Sequence, residues 1–174
     1  MAIPDWHRGH IDPFWGIEHR TLDYQTELFN NYEDMFRWRE EGFKHPEEKF
    51  VGAMCDMRSP QPSFNNRIIQ WAETEFQLKD IGTSYYQMET GIILPTHKDT
   101  YKRYIELFGC SLESIDRIII FLEGWSSGHY FEIDKTPIVD WKRGDFIKWR
   151  SDTPHMAANL GLAYRYTLQI TGHK

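Results

Sequence analysis

The alternation of apolar and polar residues changes character near Gly82. Before this glycine, apolar residues recur at three- and four-residue intervals, the periodicity of amphipathic helices. The spacing predicts one helix over residues 22–39 and a second over residues 65–78. The apolar face of the first comprises Leu28, Tyr32, Met35 and Phe36. That of the second comprises Ile68, Ile69, Ala72 and Phe76.

After Gly82 the chain consists of short runs rich in β-branched and aromatic residues, separated by turn-forming residues. The predicted strands are residues 84–88, 92–96, 115–122, 129–133, 138–141, 145–149, 155–158 and 164–171. This pattern favours a jelly roll with the helices packed on one outer face. We predict a mainly β fold with N-terminal helices, organised as a single domain. Residues 1–81 are expected to be a helical support, and residues 82–174 the double-stranded β-helix core.

Composition narrows the function classes. A chain of 174 residues with 40% hydrophobic residues is long enough for one sizeable core. The net charge is −6 and no run of Lys and Arg exceeds two residues, so neither a nucleic-acid nor a membrane partner is expected. Cys55 and Cys110 lack metal-ligand spacing, and no basic segment precedes an apolar run at the N-terminus. A cytoplasmic location is expected, whereas the oligomeric state stays open.

Candidate metal ligands follow from strand geometry. Residues two apart in a strand point to the same face, so His97 and Asp99 can face one ion. His155 supplies a second imidazole. Two imidazoles and one carboxylate hold non-haem iron(II) by one face and leave the other open for chemistry. Arg165 offers a planar, cationic fork suited to the far carboxylate of an organic acid that chelates the iron.

The segment HMAANLGLAYR, from His155 to Arg165, predicts a hairpin centred on Leu160. In that register His155 stands opposite Arg165, with Cβ atoms about 5 Å apart. Alternation along the last strand places Arg165, Thr167, Gln169 and Thr171 on the inward face and Tyr166, Leu168 and Ile170 on the other. The guanidinium would then lie one small molecule's length from the metal.

Each of these residues also has an ordinary structural explanation. Asp99 could cap a following helix, His155 could be a core histidine, and Arg165 could pair with a surface carboxylate. Because all three would have to coincide at strand-compatible spacings, we favour the metal site. His129 could reach the pocket or be structural. The aromatic and histidine residues of the N-terminal segment could cover the opening or attach the terminus to the core; they are Trp6, His7, His10, Phe14, Trp15 and His19.

With these motifs the sequence resembles the iron(II)- and 2-oxoglutarate-dependent oxygenases, more narrowly their aspartyl/asparaginyl β-hydroxylase and proline cis-hydroxylase-like branch. The resemblance covers about residues 84–171 and rests on ETGIILPTHKD, IDRIIIFLEGWSSGHYFEI, WKRGDFIKWRSDTPH and RYTLQITG. It implies that His97, Asp99 and His155 ligate iron. It also implies that Arg165 binds the distal carboxylate of 2-oxoglutarate, with Thr167 on the same face.

The resemblance assigns two further residues. Tyr86 stands where relatives offer a hydroxyl to that carboxylate, and Arg117 matches an arginine that contacts cosubstrate or a substrate carboxylate. Arg117 could instead pair with Asp116 or Glu113. Ile119 stands where the β-hydroxylases have a further histidine, which leaves a peptide substrate in question.

The implied activity is hydroxylation of an unactivated C–H bond in an amino acid or a peptidyl side chain. It would use iron(II), 2-oxoglutarate as cosubstrate, and dioxygen. The substrate would be a small molecule or a peptide. Two other classes stay open: a cupin-type metal enzyme that does not use 2-oxoglutarate, and a non-catalytic jelly-roll binding module.

Overall fold

The structure is a computed structural model that describes residues 5–28, 32–49 and 51–174. In these ranges the strands are β1 (Trp6–His10), β2 (Gln25–Leu28), β3 (Val51–Asp56), β4 (Lys79–Met88), β5 (Ile93–His97), β6 (Ile115–Phe121), β7 (His129–Ile133), β8 (Thr136–Ile138), β9 (Asp145–Arg150), β10 (His155–Asn159) and β11 (Arg165–His173). The helices are α1 (Tyr32–Glu40), α2 (Pro46–Lys49), α3 (Asn65–Phe76) and α4 (Lys102–Phe108). Short 3₁₀ helices span Glu18–Thr21 and Leu112–Ser114.

The strands form two antiparallel sheets that face each other. The larger has the order β1-β9-β6-β11-β4-β3-β2, and the smaller β5-β10-β7-β8. One core cluster draws its residues from both sheets, among them Met88, Phe121, Phe131 and Ile147. The chain therefore has the mainly β, double-stranded β-helix architecture that the strand pattern predicts.

A second core cluster lies on the outer face of the larger sheet. Leu168 and Ile170 of β11 pack there with Ile68 and Ala72 of α3, and all four are fully buried. Residues that alternate with them along β11 face the other way, which confirms the predicted two-residue alternation. The predicted second helix is also confirmed, ending at Phe76 where Gln77 adopts the left-handed region (φ 53°).

The prediction of one helix over residues 22–39 is wrong in its first half. Residues Gln25–Leu28 form β2, which pairs with β3 at the edge of the larger sheet, and the helix begins at Tyr32. Of the predicted apolar face, Met35 is buried but Phe36 is 66% exposed. The side chains of residues 28 and 32 lie outside the described ones. Pairing with β3 overrides a helical periodicity that is too short to stand alone.

The expected helical support over residues 1–81 is likewise wrong in part, because β1, β2 and β3 extend the larger sheet. The helices also do not share one outer face. Trp38 of α1 is fully buried and packs with Ile93 and Leu94 of the smaller sheet. The secondary structure of residues 1–81 therefore depends on the pairing of edge strands and not on local periodicity.

All eight strands predicted after Gly82 are present, with small shifts of their ends. The largest concerns the strand predicted at residues 84–88, which begins at Lys79, and the run predicted at residues 138–141 is Thr136–Ile138 in the structure. The described part of the N-terminal segment attaches to the core, and none of residues 5–28 lines the cavity around His97, Asp99 and His155. Trp15 is 4% exposed in the outer cluster, and β1 pairs with β9. Among the described residues, no helix combines the length and apolarity required to span a bilayer.

Candidate metal centre

His97, Asp99 and His155 converge at one end of the smaller sheet. His97 ends β5 and His155 begins β10, and the two are cross-strand partners with ring centroids 4.4 Å apart. Asp99 lies two residues beyond the end of β5. The ligand atoms of the three side chains all lie within 4.8 Å of one another. Such a spacing suits donors that share one metal ion, as the sequence pattern predicts.

Backbone carbonyl groups orient both imidazole rings. Nδ1 of His97 donates to the Pro95 carbonyl at 2.7 Å, and Nδ1 of His155 donates to that of Thr153 at 3.1 Å. Their Nε2 atoms face the Asp99 carboxylate at 3.9 and 3.8 Å. A hydrogen bond from Nδ1 fixes the tautomer whose Nε2 lone pair serves as a metal ligand.

The protonation states at this site suit metal binding. Burial, followed by the nearby His97, lowers the pKa of His155 to about 4, so this ring is neutral near pH 7. Burial alone would raise the pKa of Asp99. The Arg117 guanidinium, followed by the electrostatic interactions with the two imidazole rings, outweighs that effect and holds the Asp99 pKa at about 2. His155 and Asp99 thus present a neutral imidazole and an ionised carboxylate, the forms that bind divalent metals.

Two side chains hold the Asp99 carboxylate. Nε of Arg117 lies 3.5 Å from Oδ2, and the Tyr101 hydroxyl donates to the same oxygen at 3.1 Å. Neither Asp116 nor Glu113 pairs with Arg117, whose two Nη atoms donate to Gln169 at 2.6 Å and Thr171 at 2.5 Å. Sequence reasoning missed Tyr101; its only signal is its position two residues after Asp99.

The alternative explanations offered by the sequence do not hold for Asp99. The helix that follows it, α4, begins at Lys102 with Tyr101 as its N-cap, and no side chain caps it.

His129 is structural: it is 4% exposed, its Nε2 donates to the Ala163 carbonyl at 2.9 Å, and its ring stacks on Trp141.

An inner cavity of about 170 Å³ extends from these three side chains between the two sheets. We call the part around His97, Asp99 and His155 the metal end. Arg165, at the start of β11, lines the opposite part, which we call the arginine end. Tyr86, Thr167 and Gln169 line the cavity as well.

Arg165 is a buried cation at the arginine end. It is 3% exposed, and its guanidinium lies 5.6 to 5.8 Å from the ring centroids of Phe121, Phe131 and Trp141. Nη1 donates to the Met88 sulfur at 3.3 Å, and no described carboxylate lies within 4 Å of the guanidinium. Burial lowers its pKa to about 10, which leaves it charged at neutral pH. The alternative of a surface ion pair is therefore excluded within the described part of the chain.

Several buried donors around this cavity have no hydrogen-bond acceptor among the described residues. They are Nε of Arg165, Oγ1 of Thr167 and Nε1 of Trp149. A buried polar group without a partner costs free energy, so such donors indicate an acceptor-rich ligand. Trp149, whose ring centroid lies 4.9 Å from that of His155, was not predicted from the sequence.

Tyr86 and Thr167 lie next to each other in the larger sheet. They are cross-strand partners on β4 and β11, and both are nearly fully buried against the cavity. Burial raises the pKa of Tyr86 far above its ordinary value, so its hydroxyl stays protonated and can donate. The structure thus brings the predicted cosubstrate residues Tyr86, Arg165 and Thr167 to one region.

The predicted hairpin between His155 and Arg165 is wrong. β10 belongs to the smaller sheet and pairs with β5 and β7, whereas β11 belongs to the larger and pairs with β4 and β6. The segment between them crosses from one sheet to the other. The Asn159 side chain stabilises this crossing by donating to the Met88 and Ala163 carbonyl groups at 2.9 Å each. His155 and Arg165 still share a cavity, but they face it from opposite sheets.

The fold and the site define a class: a double-stranded β-helix protein with a His-Asp-His group inside. No family model and no curated protein matches the sequence. Among solved structures, a prolyl-4-hydroxylase from Pseudomonas putida has a TM-score of 0.55 and 13% identity over 91% of this chain and 96% of its own. This likeness shows the fold alone.

Two further solved structures are similar at lower scores. A predicted oxalate decarboxylase from Thermotoga maritima has a TM-score of 0.47 and 13% identity over 90% of this chain and 96% of its own. A cupin protein from Bacteroides fragilis has a TM-score of 0.39 and 16% identity over 58% of this chain and 72% of its own.

Proposed function

We propose that this protein is an iron(II)- and 2-oxoglutarate-dependent dioxygenase that hydroxylates an unactivated C–H bond of an amino acid or peptidyl side chain. One observation carries the proposal. A buried guanidinium without a described carboxylate partner shares an inner cavity with a His-Asp-His group. A metal-chelating dicarboxylate such as 2-oxoglutarate would supply the missing anion.

The residues present fit both absent groups. Nε2 of His97, the Asp99 carboxylate and Nε2 of His155 would hold iron(II), because two imidazoles and a carboxylate form a set that this metal accepts. Arg165, with the hydroxyl groups of Thr167 and Tyr86, would bind the distal carboxylate of 2-oxoglutarate. When bound, iron and 2-oxoglutarate supply the activation of dioxygen and the oxidising equivalents, with succinate and carbon dioxide as by-products.

The chain's own contribution is binding, orientation and exclusion of water. Arg117 and Tyr101 hold the carboxylate of Asp99, and the Pro95 and Thr153 carbonyl groups hold the imidazole rings. The aromatic rings around Arg165 surround its charge with apolar surface, and such a low-dielectric setting strengthens a charge interaction with a bound anion. No side chain is needed as a general acid or base. Arg117 lies near the metal end and is our candidate for contact with a substrate carboxylate.

The proposal also includes a single catalytic domain that acts in a cytoplasmic, reducing setting, where iron(II) persists. Its partners are a small-molecule or peptide substrate, with no nucleic acid or membrane.

Anaerobic titration tests this function. The protein is loaded with iron(II), and 2-oxoglutarate is added while the visible absorption is recorded. We expect a weak charge-transfer band that is lost in Arg165→Ala but kept in Lys142→Ala, a matched change at an exposed cation outside the cavity. Circular dichroism checks that each variant is folded.

The other outcomes identify the other classes. A folded wild-type protein that binds iron(II) but gives no band would contradict 2-oxoglutarate use and favour a cupin-type metal enzyme. A folded protein that binds no metal would favour a non-catalytic binding module.

A further inference from the structure

A larger cavity, the outer groove, adjoins the inner one. It has a volume of about 1070 Å³ and lies between the first half of β4, α4 and the turn after β3. Arg117 and Gln169 line both cavities, so the two meet at these side chains. Many of its walls are exposed, including Met57, Lys102 and Leu107. This volume exceeds the range of about 300 to 1000 Å³ typical of enclosed small-molecule pockets.

One wall of the outer groove is an open strand edge. β4 pairs with β11 along its length, but its pairing with β3 begins only at Ser84, opposite Asp56. Beyond Asp56 the chain turns away from the sheet. Within the described part of the chain, residues 81–83 of β4 therefore have no strand on that side. Such an edge presents backbone donors and acceptors that can pair with an extended peptide.

Gly82 keeps this wall accessible. It is the cross-strand partner of Thr171, and a Cβ atom built at Gly82 would meet no atom within 4 Å. Cross-strand partners share a face, so a side chain here would project into the outer groove, which both residues line. The absence of a side chain leaves room for a bound chain beside the route to Arg117.

The uncompensated charge of the outer groove is positive, although the whole chain has a net charge of −6. Of the two acidic groups on its walls, Asp56 pairs with Arg58 at 2.6 Å, and Asp80 accepts a hydrogen bond from His173 at 2.8 Å. The cations on its walls outnumber them and are Arg58, Lys102, Arg103 and Arg117. Lys102 and Arg103 have no carboxylate within 4 Å among the described residues. Complementary charge favours an acidic occupant.

A peptide fits these walls better than a nucleic acid. A nucleic-acid strand carries a charge at every phosphate, whereas the outer groove offers few cations and also carries Asp56 and Asp80. Its walls include the apolar side chains of Met57, Leu107 and Phe108, which are 51%, 66% and 43% exposed. Apolar and cationic positions side by side suit an acidic peptide with interspersed apolar residues.

We propose that the outer groove binds an extended acidic segment of a polypeptide. The segment pairs as an added strand with residues 81–83 of β4 and places one side chain against Arg117 and Gln169, whose 2.6 Å hydrogen bond separates the outer groove from the metal end. This inference rests on the proposed function and specifies its substrate class as polypeptide, not free amino acid. Lys102 and Arg103 select the acidic residues, and the backbone of β4 fixes the direction of the segment.

Peptide binding under anaerobic conditions tests the proposal. The probe is a fluorescein-labelled peptide of four Glu-Val repeats, added to protein loaded with iron(II) and 2-oxoglutarate. We expect fluorescence anisotropy to show binding about tenfold tighter than for the Gln-Val peptide. Free glutamate should not displace it at equal concentration. Tighter binding of a labelled single-stranded oligonucleotide, or equal competition by free glutamate, would overturn the proposal.

Backbone methylation tests the strand pairing. Two versions of the probe carry N-methyl groups on alternate residues, one on the glutamates and the other on the valines. Only the NH groups that face β4 make hydrogen bonds, so one version should lose about tenfold in affinity and the other little. Equal effects of both versions, or no effect of either, would contradict an added strand.

Variants locate the site. Gly82→Leu and the double variant Lys102→Glu/Arg103→Glu should each weaken binding of the Glu-Val peptide about tenfold. The control, Lys135→Glu/Lys142→Glu, has the same change in net charge at exposed positions outside both cavities. A loss of affinity as large in the control would place the peptide elsewhere.

The absorption band of the iron and 2-oxoglutarate complex separates the two proposals. A band in wild type and variants without peptide binding would overturn the groove proposal alone. No band, with peptide binding still sensitive to Gly82→Leu, would overturn the proposed function but keep the groove as a docking site. Loss of both would overturn both.

Discussion

The two ends of the inner cavity differ in what each lacks. At the metal end, His97, Asp99 and His155 bring lone pairs and a negative charge together. At the arginine end, Arg165 places a positive charge among aromatic rings with no described carboxylate nearby. One end needs a cation and the other an anion, and a buried charge without a partner is costly. A metal ion that carries a dicarboxylate would complete both ends together.

The largest expected effect comes from removing a ligand at the metal end. His97→Ala and Asp99→Ala should lower iron(II) affinity by more than about a hundredfold and abolish substrate-independent succinate formation, because two donors hold the metal far more weakly than three. Equilibrium dialysis and succinate assays measure the two effects. Asp152→Ala, at an exposed carboxylate outside the cavity, serves as the control. Full turnover in both ligand variants would refute the assignment.

The next effect distinguishes the arginine end from the metal end. Arg165→Met keeps a long side chain but removes the charge, so 2-oxoglutarate affinity should fall about a hundredfold while iron(II) affinity stays within about twofold. Separate titrations with iron(II) and with 2-oxoglutarate measure the two affinities. An equal loss of both affinities would mean that the ends are not independent.

The same variant should not destabilise the ligand-free protein. Replacing a buried, unpaired guanidinium by an apolar side chain is expected to leave the free energy of unfolding unchanged or raise it by about 1 to 4 kcal/mol. Urea denaturation measures this. A marked loss of stability would show that Arg165 serves the fold and not a ligand.

A smaller effect concerns the hydroxyl group beside Arg165. Oγ1 of Thr167 is buried without a partner among the described residues, so Thr167→Val should cost the apo protein little. If the hydroxyl donates to the cosubstrate, the variant should bind 2-oxoglutarate about tenfold more weakly. Thr83→Val is the matched control, since Oγ1 of Thr83 is also buried and unpartnered but does not line the inner cavity.

The smallest expected effect is on the pKa of His129, whose ring stacks on Trp141 near Arg165. Burial is the main cause that lowers the pKa of His129 from its ordinary 6.5, and the charge of Arg165 lowers it further. A hydrogen bond to the Ala163 carbonyl opposes this shift. The unfolded chain therefore binds this proton more readily, and stability is lost as the pH falls below 6.5. Arg165→Met should raise the His129 pKa and lessen that loss.

NMR titration of the histidine ring protons checks this last expectation. His19 provides the internal reference, because its pKa is also lowered by burial but the charges acting on it are those of Glu123, Arg20 and Arg143. A shift of both histidines would indicate a general change in the fold.

The strands of the second half of the chain could be predicted because their patterns are strong and local. Alternation along β11 correctly separated Leu168 and Ile170 from Thr167, since a strand side chain has only two faces to choose from. The N-terminal half could not be predicted as well. β2 exists through its pairing with β3, a contact that no local window contains.

The same contrast applies to the candidate site. The spacing of His97 and Asp99 was informative because it depends on two residues of one segment. The relation of His155 to Arg165 was inferred from a hairpin that does not exist, because a hairpin and a sheet-to-sheet crossing use similar turn residues. Tyr101 was missed, since only the folded chain brings its hydroxyl to Asp99.

The sequence by itself determined which side chains have the right chemistry and which strands carry them. It contains two imidazoles, a carboxylate and an arginine, and it places Arg165 and Thr167 on the inward face of β11, because alternation is a local property of the backbone. Only the tertiary structure decided that β10 and β11 lie in opposite sheets, so that metal end and arginine end face each other across one cavity. The physical reason is that strand pairing joins residues far apart in the chain, and burial of the Arg165 charge follows from that pairing.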